Sequence, residues 1–239
     1  MGIPGANNAV NANKIIAGSQ LGPRTNPQQY KNLDSLGKVD VILVTHGHGD
    51  HTGDVSELAK RTGATVLGPA RLIATMIDLV WVASDTAARF GKGCRVNTAG
   101  PQISITQVRA EHSSEVTVTD PAKKKTTTYP GGEPCGFIVE MENGVKIYHM
   151  GDTGLFGDMR FIGEYYKPDL IMIPIGGHFV MDPRDAAYAT EKMIKPKFAI
   201  SFHYGRFPVL RGTPQEYQAA LGQTPTQIFP ISPGDKLSF

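Results

Sequence analysis

The chain is expected to fold as an α/β protein with two sheets packed between layers of helix. Two observations predict this. Short apolar runs alternate with helix-like segments along most of the chain, the mark of βα units. One pair of runs, 137–142 and 145–149, instead flanks Asn143-Gly144, the strongest short signal for an antiparallel hairpin. Parallel units joined to a hairpin call for mixed sheets, with helices covering their outer faces.

The elements follow in order. Val41 to Thr45 is almost wholly apolar and reads as a buried strand. Val55 to Arg61 reads as a helix with Asp54 placed to cap it. Ala64 to Leu67 reads as a strand, and Pro69 to Val82 as a helix, proline being tolerated in a first turn. Ile103 to Val108 alternates at period two and should be half buried. After the hairpin come strands at Leu170 to Ile175 and Phe198 to Phe202, then helices over Asp185 to Ile194 and Pro214 to Leu221. Thr119 to Glu133 is the least regular stretch and reads as a solvated loop. Its run Lys123-Lys124-Lys125 could steer a substrate. Residues 1–37, rich in Asn, Gly and Pro, are expected to be irregular. Residues 38–239 should form one domain.

Composition narrows the function. The 239 residues suit a single large domain with a substantial core. Net charge is +2, from 24 basic and 22 acidic residues, so charge offers no reason to expect a nucleic-acid partner. Two cysteines, Cys94 and Cys135, are too few for a disulfide framework. Cys135 opens an apolar run and reads as a buried small side chain. The apolar stretch Leu72 to Ala83 is broken by Asp78 and falls short of the ~20 residues a membrane span needs. Met1 to Val10 has neither a basic start nor an apolar core. A cytoplasmic location is therefore expected, or a periplasmic one if a signal segment is missing from the front.

The chemistry is concentrated in Thr45-His46-Gly47-His48-Gly49-Asp50-His51. A strand ends there, and imidazoles and a carboxylate arrive in one tight loop. These are the ligands that zinc and similar divalent ions favour. His46 and His48, two apart, can face one ion. Asp50 and His51 continue round the turn and more easily serve a second. Two neighbouring ions need a bridging ligand and further donors. His112, Asp152 and His203 each follow a strand-like run, where loops gather functional side chains on a rigid scaffold.

The segments Thr45–Asp54, Ala110–Ser114, Tyr148–Asp158, Pro174–Pro183 and Phe202–Pro208 together resemble the metallo-β-lactamase superfamily. The resemblance is closest to its branch of metal-dependent hydrolases similar to L-ascorbate-6-phosphate lactonase, and it runs from about Lys38 to the C-terminus. It implies an αββα sandwich and two divalent metal ions, zinc first, with manganese, iron and nickel as alternatives. By resemblance His46, His48 and His112 bind one ion, Asp50, His51 and His203 bind the other, and Asp152 bridges them. The chain is expected to depart from the family at its front, without the opening strands of the first sheet. The edge so exposed would favour a homo-oligomer.

The implied activity is hydrolysis of a small ester, lactone or phosphoester by a hydroxide bridging the two ions. Asp50 would orient that hydroxide and carry a proton. His178, after Gly176-Gly177, would touch substrate or act as an acid, or else serve a structural hydrogen bond. Tyr204 and Arg206 would contact an anionic or polar substrate. Thr45, Asp54 and Thr153 are candidates to orient the imidazoles, and His149 reads as a packed structural histidine. The competing readings are a metal-stabilised binding protein without turnover, a phosphodiesterase or nuclease on the same fold, and redox chemistry at a di-iron site, for which the donor set has few carboxylates.

Overall fold

Successive residues of the strand Val41–Leu43 serve two different cores. Val41 and Leu43 pack with Phe137, Val139 and Ile105, whereas Ile42 packs with Leu58, Leu72 and Ile73. A strand buried on both faces must be apolar at every position, which is how this run reads. The same division recurs across the chain and builds four layers. The structure, a computed structural model, describes residues 15–17, 33–120 and 122–231.

Among these, the first sheet has the order β1 (Ile15–Ala17), β2 (Val41–Leu43), β3 (Thr65–Pro69) and β4 (Ala87–Phe90), all parallel. Helices α2 (Val55–Thr62) and α3 (Ala70–Asp78) cover its outer face. The second sheet contains β5 (Arg95–Val96), β6 (Ser104–Arg109), β9 (Cys135–Glu140), β10 (Lys146–His149), β11 (Leu170–Pro174), β12 (Phe198–Phe202) and β13 (Gln227–Ile228). Helices α4 (Met159–Tyr166), α5 (Pro183–Tyr188) and α6 (Pro214–Leu221) lie against its outer face. Between the sheets sits a core of Val41, Leu43, Leu67, Ile105, Cys135 and Phe137. The αββα sandwich is thus the observed architecture.

Several readings are corrected. Thr119 to Glu133 is not a free loop: β7 (Glu115–Asp120) and β8 (Lys125–Pro130) form an antiparallel hairpin. Its signal was threonine, a β-branched residue that suits strands without making them apolar, and Thr119 and Thr126 hydrogen-bond across it. Lys123 to Lys125 lie at its tip. The helix expected to reach Val82 ends at Asp78, where Val80 takes a left-handed conformation. Asp54 precedes α2 without a capping side-chain hydrogen bond. The helix expected from Asp185 begins at Pro183, capped by Asp182 through the amides of Arg184 and Asp185, and winds as a π-helix over Ala189–Ile194. The segment expected to be irregular contains β1, paired in parallel with β2, and a 3₁₀ turn over Leu33–Leu36. The strands expected to be missing fall outside the described residues.

The last helices are tied to each other by a buried relay. Tyr217 of α6 is fully buried, and its hydroxyl lies 2.7 Å from the Thr190 hydroxyl, which donates to the Ala186 carbonyl of α5 at 2.8 Å. Tyr217→Phe leaves the Thr190 bond intact and is expected to cost about 1 kcal/mol. Tyr217→Ala also opens a cavity and is expected to cost about 3–5 kcal/mol. Urea unfolding of the two variants measures the difference.

Candidate metal centre

The topology decides where the functional side chains meet. β10, β11 and β12 are parallel, and β6 runs antiparallel to β9, which runs antiparallel to β10. The C-terminal ends of β6, β10 and β12 therefore share one edge of the sandwich. His112, Asp152 and His203 follow those ends. The loop after β2 of the other sheet reaches the same edge, where the Cys135 amide donates to the Thr45 carbonyl at 3.0 Å. Past it the chain turns into α1 (Gly49–Thr52), which carries Asp50 and His51.

The structure brings the seven residues together as two groups of donors. His46, His48 and His112 form one. Asp50, His51, Asp152 and His203 form the other, the donor atoms within each group lying within 4.8 Å of one another. Asp152 joins the two. Its Oδ2 lies 2.9 Å from His203 Nε2, 3.2 Å from His51 Nε2, and 3.9 Å from both His46 Nε2 and His112 Nε2. Its Oδ1 is buried and accepts no hydrogen bond from the described residues. Asp50 Oδ2 lies 3.5 Å from the Nε2 atoms of both His51 and His203. Imidazole nitrogens crowded around one buried carboxylate need positive charge between them. The donor set, nitrogen with carboxylate oxygen, fits a pair of divalent ions.

Charge differs between the groups. Burial and the neighbouring His51 push His46 well below the ordinary histidine value. Burial also lowers His112, outweighing the pull of Asp152. A lowered pKa favours the neutral imidazole, the form that ligates a metal ion. Burial alone would lower His51 and His203 too, but Asp152 and Asp50 outweigh it and raise both. The two carboxylates are in turn held well below their usual range by those histidines, against the opposing effect of burial.

Three of the five imidazoles, those of His46, His51 and His48, are aimed by a partner. Thr45 Oγ1 is 3.0 Å from His46 Nδ1 and 3.5 Å from His51 Nδ1, leaving both Nε2 atoms for the centre. His48 is turned the other way: Nε2 meets Glu115 Oε2 at 2.9 Å, and Nδ1 lies 3.1 Å from His46 Nε2. The Glu111 amide donates to Thr153 Oγ1 at 2.9 Å, joining the His112 loop to the Asp152 loop. Gly47 passes so close to the β7 backbone that a side chain would strike the Glu115 carbonyl, and Gly176 lies against the His203 carbonyl in the same way. His203 itself takes φ +54°, a conformation costing of order 1–3 kcal/mol for a non-glycine residue.

The family profile described as the beta-lactamase superfamily domain matches residues 8–204. The chain belongs to the metallo-β-lactamase superfamily. A UPF0173 metal-dependent hydrolase of Polaromonas sp. is 53% identical over 220 residues, which are 92% of this chain and 80% of that one. Its counterpart from Roseiflexus sp. is 42% identical over 215 residues, 89% of this chain and 84% of the other. Among solved structures, Igni18, a metallo hydrolase from Ignicoccus hospitalis, matches with a TM-score of 0.72 and 30% identity, over 91% of this chain and 86% of that one. Zn(2+)-bound PqqB from Methylobacterium extorquens shares the fold at 15% identity, with a TM-score of 0.60 over 90% of this chain and 80% of that one.

In this superfamily member the donors open into a cleft of about 610 Å³, floored by His48, Asp50, His112, Asp152 and His203. Its walls are Phe179, Phe207, Pro208 and Val209. Three of the expected site residues, His178, Tyr204 and Arg206, stand outside this lining. His178 is exposed, with φ +63°, and lines a separate cavity with Asp182, Arg211 and Glu216. The residue its loop sends into the cleft is Phe179. Tyr204 packs against the helical core beside the second sheet, and neither it nor Arg206 lines the cleft. His149 is buried, with Nδ1 accepting from the Gly151 amide at 3.1 Å, and burial lowers its pKa to about 4. It is a neutral packed histidine.

Glu115 escaped the sequence reading. The signal was present: it stands three residues beyond His112 and opens the alternation Glu115-Val116-Thr117-Val118. Carboxylates that orient a ligating imidazole are typically worth about 10–100-fold in metal affinity. Glu115→Gln keeps the size of the side chain and loses its charge. It is expected to weaken binding by about that factor for one ion of the pair, read by competition with a chromogenic chelator.

Proposed function

We propose that the chain hydrolyses a small ester, lactone or phosphoester with two divalent ions, zinc first among them. His46, His48 and His112 would hold one ion. Asp50, His51 and His203 would hold the other, and Asp152 would be shared. The observation that carries this is the single carboxylate oxygen of Asp152 facing four imidazole nitrogens in a buried edge of the sandwich. When bound, such an ion pair brings the pKa of a coordinated water toward ~7 and polarises a carbonyl or phosphoryl oxygen.

The remaining work belongs to the chain. Asp50 borders the cleft and is held as a carboxylate, so it can take a proton from the attacking water and pass it to the leaving oxygen. Thr45 and Glu115 keep the imidazoles in position. Phe179 and Phe207 screen the reacting centre from bulk water. Among the described residues neither lysine nor arginine lines the cleft, which supports a small molecule over a nucleic acid. The names of the relatives support metal-dependent hydrolysis as the reaction class. An L-ascorbate-6-phosphate-like lactone is one candidate within it.

Two ions per chain are expected by elemental analysis after reconstitution. Asp152→Ala and Asp152→Asn should each lose metal and most turnover. One ion in the native protein, or full activity in either variant, would falsify the assignment. Asp50→Asn is expected to lower turnover by roughly 10²-fold or more, the scale of a lost acid–base group. His178→Ala should leave both metal content and turnover unchanged, because its side chain lies outside the cleft. Steady-state rates on an ester, lactone and phosphodiester panel read both effects.

A further inference from the structure

The cleft has a polar floor and an apolar wall, and the wall comes from two separate loops. Phe179 stands on the loop after β11. Phe207, Pro208 and Val209 stand on the loop after β12. Phe179 is 56% exposed, Phe207 44% and Val209 40%, so these side chains reach past the floor into water. Their loops are closed by their own backbones. The Gly177 amide donates to the Met181 carbonyl at 3.0 Å, and the Met181 amide donates to the Thr153 carbonyl, beside Asp152, at 2.9 Å. The Gly205 amide donates to the Leu210 carbonyl at 3.0 Å, and the Leu210 amide to the Phe207 carbonyl at 3.0 Å. The apolar groups are thus held over the donor cluster before any ligand arrives.

Charge around the cleft points the same way. Among the described residues, neither lysine nor arginine lines it. Lys92 and Arg109 line a neighbouring cavity that shares His112, and both are engaged, Lys92 with Glu133 at 2.9 Å and Arg109 with Glu111 at 2.7 Å. Arg211 lies in the His178 cavity together with Asp182 and Glu216. A substrate phosphate or free carboxylate away from the reacting bond would meet no counter-ion from the cleft walls, whereas an alkyl or aryl group would be covered.

On the hydrolase reading, we propose that the substrate is an uncharged ester or lactone whose aliphatic or aromatic group is gripped by Phe179, Phe207 and Val209. Water adds to the acyl carbon, the acyl C–O bond breaks, and the departing oxygen takes the proton. An ester gives one acid and one alcohol, a lactone gives one hydroxy acid, and nothing is oxidised or reduced. The wall and the donor cluster line one and the same cleft, so the observations favour the substrate as occupant over a second copy of the chain.

The test uses the metal-loaded protein with aryl acetate, butyrate and hexanoate, lactones with lengthening tails, and phenyl phosphate. Calorimetric binding of the matching free carboxylates adds a readout independent of turnover. Both kcat/KM and carboxylate affinity are expected to rise about three- to fourfold per methylene until the wall is filled, with phenyl phosphate the poorest substrate. Phe179→Ser and Phe207→Ser should flatten that dependence while two ions stay bound. Phe161→Ser, which changes an exposed residue of α4, should leave it unaltered. A flat dependence in the parent protein, a preference for phenyl phosphate, or an unaltered slope in both wall variants overturns the proposal. So does a dimer by light scattering that Phe207→Ser dissolves, which would give the wall to a second copy. Absence of metal-dependent turnover on every substrate would defeat the hydrolase reading alone, and the carboxylate slope would still decide whether the wall binds an apolar group.

Discussion

One buried carboxylate organises this molecule. Asp152 lies between two sets of imidazoles drawn from the segments after β2, β6 and β12, and an ionised group in that position is stable only with cations beside it. The demand shows in His51 and His203, whose pKa values are raised by the carboxylates they face against the effect of burial. The local structure reflects the same demand. Thr45 turns two imidazoles inward, Glu115 turns a third, and His203 accepts a left-handed backbone to complete the set.

The sandwich makes this convergence achievable. A sheet places the ends of its parallel strands along one edge, and strands that differ widely in sequence position become neighbours there. β6, β10 and β12 share a direction, and the inter-sheet core of Leu43, Ile105 and Phe137 presses the β2 loop against them. The rigidity of the centre is therefore borrowed from hydrophobic packing on both sides of each sheet. Loops alone would not hold donors from two sheets to within hydrogen-bonding distances.

Much of this was legible in the sequence, for reasons particular residues make plain. The run His46 to His51 is dense enough that no ordinary packing role explains it. His112, Asp152 and His203 each stand just past a run whose apolar pattern marks a strand. The layers were legible because Val41 to Val44 and Phe137 to Val139 must satisfy two cores at once. What escaped depends on geometry that spacing does not encode. Glu115 reaches His48 only through the register of a hairpin whose strands are built from threonine and lysine. His178 looked chemically apt, but its positive φ turns it to another cavity and leaves Phe179 at the cleft. Tyr204 and Arg206 were polar neighbours of a ligand candidate, and the loop curls so that Phe207 to Val209 face the centre instead.

The hairpin β7–β8 is not hydrogen-bonded into either large sheet. Val116, Val118 and Tyr129 pack it onto the first sheet's helices, and Thr75 of α3 donates to the Pro130 carbonyl at 2.7 Å. Two-stranded ribbons open more readily than the interior of a seven-stranded sheet. Glu115, which steadies His48, sits at the base of this ribbon, and His112 precedes it by three residues. His112, Asp152 and His203 all follow strands of the larger sheet, β6, β10 and β12. Opening of the ribbon would therefore reach the site through Glu115 and His48, and leave the other donors on their own elements. On the two-ion reading, the ion at His46, His48 and His112 would have one donor loosened whenever the ribbon opens, whereas the donors of its partner would keep their aim.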